Sequence, residues 1–342
     1  MNKSVILTGL RVNSDFTLGN YLGAIKPMVM LANKYANTHQ LNMFIPDLHT
    51  ITVDVDYEGL NKAILNGVKD YVAEGLPIEN QNVYTYRQSY ISAHSELTWI
   101  LDCFTGFGEA SRMVEFKDKS QKIGEDRVSI GLFNYPILMA ADILLYNALW
   151  VPVGEDQRQH IELTRTIAQR FNNKFGNIFT VPKNLLEQAK FVGVEKSLRI
   201  RSLKYPNNKM SKSISDPAGT ILLNDNPKQA AKKIMSATTD DFAKINYDWD
   251  KQPGITNLLQ IYMSLSDETK EQTLDKWQDK NNYGDFKREL ASIVEAFLTK
   301  FQQERNKIDE STLIHKLKIS ESKMQEQANA KLLSVQKAVG LR

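Results

Sequence analysis

The first half of the chain alternates short apolar runs with longer segments of helical period, and this alternation constrains the fold more than any other feature. A strand buried on both faces reads as an unbroken apolar run. Parallel neighbours also need a crossover of a dozen residues or more, which a helix supplies. The expected strands are SVILTG (4–9), LNMFIPD (41–47), NVYTYRQ (82–88) and WVPVG (150–154). GNYLGAIKPMVMLANKY (19–35) follows the first, with Leu22, Ile25, Val29 and Ala32 on one helical face. Pro27 is expected to break or kink its first turns, because proline lacks the amide donor and crowds the preceding turn. EGLNKAILNGVKDYVAEGL (58–76), SELTWILDCF (95–104) and EDQRQHIELTRTIAQRF (155–171) are the other helical segments. Strand and helix in alternation predict an α/β domain with a parallel sheet.

Beyond residue 200 the strand signals fade, and helices are expected at 226–237, 254–265, 267–279, 284–304 and 309–338. A length of 342 residues suits two domains. They are placed at 1–203 (α/β) and 220–342 (helical), joined by the polar stretch 204–219. Basic residues exceed acidic ones by only 43 to 40, which excludes a polycationic nucleic-acid coat but leaves room for a local basic face. The single cysteine, Cys103, excludes an internal disulfide framework and a Cys-rich zinc site, and fits a reduced cytoplasmic compartment. MNKSVILTGLRV is too short for a signal peptide, and the apolar stretch ILLYNALWVPV is too short to span a bilayer, so an intracellular protein away from membranes is expected.

Four segments could carry chemistry. TGLRVNSDFTLGNYLGA (8–24) joins the first strand to the first helix, at the carboxyl edge of the sheet where ligands bind. Gly19 permits close approach, and Thr17 and Asn20 place polar groups at a helix N-terminus suited to phosphate. An ordinary capped turn would look the same. KMSKS (209–213) sets two lysines three apart on a polar loop, either to neutralise a polyphosphate or simply as a solvated basic loop. NYPILMAADILLYNALW (134–150) is a nearly all-apolar helix, with Pro136 read as a first-turn residue and Asp142 as its one charge. A buried carboxylate there needs a partner, either structural or a ligand N–H or O–H. Met139 lies one turn before it on the same face. VPVGEDQRQH (151–160) offers a glycine and acceptors suited to ribose hydroxyls, or an acidic helix start. His160 and Glu162 are expected on the helix surface, and the remaining histidines show no metal-ligand spacing.

Together these segments resemble class I aminoacyl-tRNA synthetases. TLGN (17–20) is similar to the divergent HIGH motif of the tryptophanyl and tyrosyl branch, and KMSKS is complete. MAADILLY (139–146), VPVGEDQRQHIELTR (151–165) and PGITNLL (253–259) resemble the bacterial tryptophanyl members most closely. The resemblance runs in order from the first strand to about residue 300. It implies a Rossmann-like catalytic domain, a C-terminal α-helical anticodon-binding domain and a homodimer. It also implies a two-step reaction: L-tryptophan and Mg-ATP give tryptophanyl-adenylate and pyrophosphate, and tryptophan then passes to the 3′ end of tRNA(Trp).

The resemblance carries roles to individual positions. Thr17, Gly19 and Asn20 would cradle ATP, with Gly154, Glu155, Asp156 and Ile200 on its ribose and adenine side. Lys209, Met210, Ser211, Lys212 and Ser213 would grip the pyrophosphate, helped by Lys119. Asp142 would accept from the indole N–H, with Met139, Tyr135 and Gln157 completing the tryptophan pocket. The family usually has Pro-Ser/Thr-Gly in the first loop. Here the stretch is Arg11-Val12-Asn13-Ser14, so the expected ATP contacts of Arg11, Val12 and Asn13 fall on a differently shaped loop. Lys228, Lys232 and Lys233 lie near one helix face where they could meet tRNA phosphates. The competing readings are a tyrosyl enzyme, a tryptophan- or RNA-binding paralogue without ligation, and an adenylylating enzyme for a non-tRNA acceptor.

Overall fold

The computed structural model describes residues 3–12, 14–114, 116–117, 128–154, 157–193, 198–211 and 216–342. Four parallel strands form one sheet in the order β3-β2-β1-β4: β1 (Val5–Gly9), β2 (Gln40–Ile45), β3 (Val83–Arg87) and β4 (Ala148–Trp150). The first three strands fall where the apolar runs predict. The fourth lies earlier than WVPVG: Ala148 and Trp150 pair with β1, and 151–154 is irregular. Pro152 has no amide to give to a ladder, which suits it to the loop rather than the sheet.

Side chains alternate across a strand, so each strand feeds two cores. Ile6, Leu41, Met43, Ile45 and Val83 face one core, shared with the helices over 18–35 and Leu60–Ala73 and with much of the chain after residue 200. Val5, Leu7, Phe44 and Tyr86 face the other, shared with helices Ala93–Asp102, Ile130–Leu145 and Arg158–Phe175. The C-terminal helix Glu310–Ala338 joins both layers: Leu313 and Leu317 belong to the first core, Met324, Ala328, Leu332 and Val335 to the second.

Two proline readings need correction. Pro27 does not break the first helix, which runs over 18–35 with a π-helical turn at Tyr21–Ile25 directly before it. Widening that turn accommodates a ring that would crowd the carbonyl of Gly23 in a regular α-helix. Pro136 is interior, because helix Ile130–Leu145 starts earlier and is capped by Ser129, whose side chain accepts from the Leu132 amide. The five later helices form at Pro227–Met235, Pro253–Ser266, Lys270–Trp277, Tyr283–Asn306 and Glu310–Ala338.

Candidate active site

The carboxyl ends of the strands gather the site. After β1, Thr17 caps the first helix in a reciprocal box: its Oγ1 accepts from the Asn20 amide at 3.1 Å, and its own amide donates to Asn20 Oδ1 at 3.0 Å. Arg11 is exposed. The Val12 side chain is fully buried against Gly67, leaving only its backbone to meet a ligand. Asn13 lies outside the described residues.

Gly19 and Gly23, four residues apart, make a flat track on this helix. A Cβ on Gly23 would stand 2.7 Å from the Leu198 carbonyl oxygen, and one on Gly19 would stand 3.4 Å from Met210 and 3.5 Å from Ile200. Close backbone approach demands glycine at 23, whereas a Cβ at 19 would make ordinary contacts with the Met210 and Ile200 side chains. The entry to the KMSKS segment therefore lies against TLGN. Its exit does too, because the Leu18 amide donates to the Ile221 carbonyl at 2.8 Å and the Leu223 amide to that of Phe16 at 2.9 Å. Between these ends Met210 N–H donates to the Ile200 carbonyl at 3.1 Å, and Arg201 pairs with Lys209 in an antiparallel bridge. Lys209 is exposed, Met210 and Ile200 are buried, and Ser211 is half-buried. Lys212, Ser213, Lys119, Glu155 and Asp156 lie outside the described residues. Gly154 accepts through its carbonyl from the Gln157 amide at 3.0 Å, just before helix Arg158–Phe175.

Asp142 is wholly buried and accepts three hydrogen bonds. Its Oδ1 accepts from Gln88 Nε2 at 2.7 Å and from His94 Nδ1 at 2.6 Å, and its Oδ2 accepts from His49 Nε2 at 2.9 Å. Burial alone would raise its pKa. The hydrogen bonds and charges of the two imidazoles outweigh burial and hold it below the usual carboxylate range, so it is an anion at neutral pH. A carboxylate only accepts, so His94 carries its proton on Nδ1 and His49 on Nε2. His94 Nε2 meets the Tyr146 hydroxyl at 2.9 Å, and burial keeps that phenol protonated by pushing its pKa well up. The Tyr135 ring meets His49 edge-on at 6.1 Å, and its hydroxyl shares a 2.9 Å hydrogen bond with His160 Nε2. His160 is thus buried rather than on the surface, while Glu162 is exposed as expected. Met139 and Gln157 are half-buried.

Sequence reasoning missed His49, Gln88 and His94. A signal for two of them was present: His49 and Gln88 follow β2 and β3 directly, at the edge where a parallel sheet presents its ligand groups. Among the described residues no group of three or more His, Cys, Asp or Glu side chains is arranged to hold a metal ion, so the described chain offers no carboxylate cage for Mg2+. Of the helical-domain lysines, Lys228 and Lys232 are exposed, but Lys233 donates to Asp225 and to the Thr220 carbonyl, both at 2.7 Å. No described helix is long and apolar enough to cross a membrane.

Known proteins match along the whole chain. The family profile "tRNA synthetases class I (W and Y)" matches residues 1–299. A tryptophan–tRNA ligase of Corynebacterium glutamicum is 44% identical, over 98% of this chain and 94% of that protein. The crystal structure of a tryptophanyl-tRNA synthetase from Mycoplasma pneumoniae superposes with a TM-score of 0.82 at 32% identity, covering 99% of this chain and 98% of that one. A Campylobacter jejuni tryptophanyl-tRNA synthetase complexed with ADP and tryptophan superposes with a TM-score of 0.78 at 31% identity, covering 98% and 100%.

Proposed function

The chain belongs to the class I tRNA synthetases of the tryptophan and tyrosine group, and we propose on that premise how its site performs the reaction. It activates L-tryptophan with ATP and transfers the tryptophanyl group to tRNA(Trp). In the first step a tryptophan carboxylate oxygen attacks the α-phosphorus of ATP, the P–O bond to the β-phosphate breaks, and pyrophosphate leaves. In the second, a hydroxyl of the terminal adenosine of tRNA attacks the activated carbonyl and AMP leaves. Neither step needs a covalent protein nucleophile, so the residues act by positioning and charge stabilisation.

Thr17, Gly19, Asn20 and the Ile200 backbone hold the nucleotide, with Gly154, Glu155 and Asp156 on its ribose side. The track of Gly19 and Gly23 supports this, since it lets the KMSKS entry close over the first helix. Lys209, Lys212 and Lys119 neutralise charge on the leaving pyrophosphate. The Mg2+ that accompanies ATP would be held by its phosphates. Residues 1–203 form the catalytic domain, 204–219 the KMSKS linker and 220–342 the helical region that reads tRNA, with Lys228 and Lys232 as phosphate contacts.

Asp142 carries the assignment of tryptophan. A carboxylate has about four acceptor positions, and three are taken by Gln88, His94 and His49. The remaining position, on Oδ2, suits the indole N–H, with Met139 and Tyr135 as the wall beside it. Phenylalanine has no such donor, and an anion left unpaired in an apolar pocket rejects it. The test is amino-acid-dependent ATP–pyrophosphate exchange followed by tRNA charging. Exchange with tryptophan only, plus charging, is expected. Asp142→Asn should cut discrimination against tyrosine and phenylalanine by about ten- to a hundredfold, the size of a charge-assisted hydrogen bond. Unchanged discrimination would remove Asp142 from the pocket. Exchange without charging would point to another acceptor.

A homodimer is inferred from large apolar side chains left in solvent. Trp99, Phe107 and Ile130 are 72%, 76% and 81% exposed, and Phe107 stacks on Phe133 close to Ile130, so an interface with a second copy would cover them. A cytoplasmic location is inferred from the lone free cysteine, Cys103.

A further inference from the structure

Asn257 sits in the first turns of helix Pro253–Ser266, is 1% exposed, and spends both ends of its amide on the backbone N–H and C=O of one residue of another segment. Its Oδ1 accepts from the Arg201 amide at 2.8 Å, and its Nδ2 donates to the Arg201 carbonyl at 3.0 Å. A side chain used this way replaces a neighbouring strand: it supplies the donor and acceptor of one ladder rung. Asparagine is a poor helix former, so its place inside a buried helix needs such a return. Arg201 is in turn the bridge partner of Lys209, while the adjacent Ile200 carbonyl accepts from Met210. One further contact holds the same residue from the same side: the Arg201 guanidinium lies 4.2 Å from the centre of the Trp249 ring.

We propose that Asn257 is a positioning residue for ATP, fixing the register of the Ile200–Arg201 and Lys209–Met210 pair from the helical region. This rests on the reading that Ile200 and Lys209 meet ATP. Asn257 touches no substrate, so its effect should fall on ATP and spare tryptophan, whose pocket lies around Asp142. Thr273 makes a fair control: it is equally buried, and its hydroxyl donates to Glu268 on a segment that does not hold Arg201.

The experiment measures KM for ATP and for tryptophan separately in pyrophosphate exchange, on the full chain. Asn257→Ala should raise the ATP KM by about tenfold, as the loss of a buried hydrogen-bonded pair implies. The tryptophan KM should stay within about twofold, and Thr273→Val should leave both unchanged. Trp249→Leu should raise the ATP KM in the same selective way by a smaller factor, and it carries the test if Asn257→Ala fails to fold. An unchanged ATP KM, a parallel rise in both constants, or an equal effect of Thr273→Val would overturn the proposal. A wild-type chain inactive in exchange would overturn the ligase reading first, before any variant is compared.

Discussion

Asp70 and Asp142 are both buried, and their carboxyls move in opposite directions. Asp70 pairs with Arg305 Nε at 2.7 Å, but burial outweighs that partner and lifts its pKa from the ordinary 3.8 to about 6. Asp142 is buried as well, but the hydrogen bonds and charges of His49 and His94 outweigh its burial. The pH consequences therefore have opposite signs. For Asp70 the folded state binds the proton more tightly than the unfolded chain. Its contribution is fully present below pH 3.8 and is lost as pH rises through about 6. The swing is on the order of 3 kcal/mol for a shift of that size. For Asp142 stability is present above the ordinary carboxylate range and lost in acid. Thermal melts of Asp70→Asn from pH 4 to 7 should show wild type losing stability relative to the variant as pH rises. Parallel curves would show that Asp70 does not titrate in this window.

Besides its apolar contacts, the C-terminal helix is tied to the sheet by a buried ion pair. Arg87, at the end of β3, donates through Nε and Nη2 to Glu321 at 2.6 and 2.9 Å, and its guanidinium also lies 3.5 Å from the centre of the Tyr90 ring. Both side chains are under a tenth exposed, so removing one partner strands the other's charge. Glu321→Ala should lower stability by about 3–5 kcal/mol in a urea melt. A loss below about 1 kcal/mol, typical of a surface pair, would show that the helix is held by its apolar contacts alone. The strands and most helices were legible because period and punctuation are local properties. Pro136 misled because an apolar segment with proline near its start looks like a helix beginning, and the cap at Ser129 lies upstream of the apolar run. β4 was misplaced because the apolar run continues past Trp150 into a stretch that pairs with nothing in the sheet.

For the whole molecule, the exposed side chains Trp99, Phe107 and Ile130 make the proposed homodimer testable. Trp99→Glu should convert a dimer to a monomer in sedimentation velocity, because a carboxylate in an apolar interface has no partner. A variant sedimenting like wild type would move the interface elsewhere. The two cores also explain why the chain after residue 200 does not stand apart from the sheet. Ile200, Leu203, Met210 and Ile221 share the first core with Ile6 and Leu18, so the segment leading into and out of KMSKS and the helices after it pack on one continuous apolar layer.

By itself the sequence determined the parallel sheet and the order of its helices, through periodicity, and the need of Asp142 for partners, through the cost of an unpaired buried charge. TLGN and KMSKS stood out only by their resemblance to a family, since a capped turn and a solvated basic loop read the same. Only the tertiary structure decided which groups satisfy that charge. His49, Gln88 and His94 come from three different segments and meet Asp142 because parallel strands bring their carboxyl ends to one edge. It also decided that Asn257 holds Arg201, a contact across 56 residues that neither segment signals locally. Contacts of that kind depend on how two surfaces are brought together, and periodicity records only which surface is apolar.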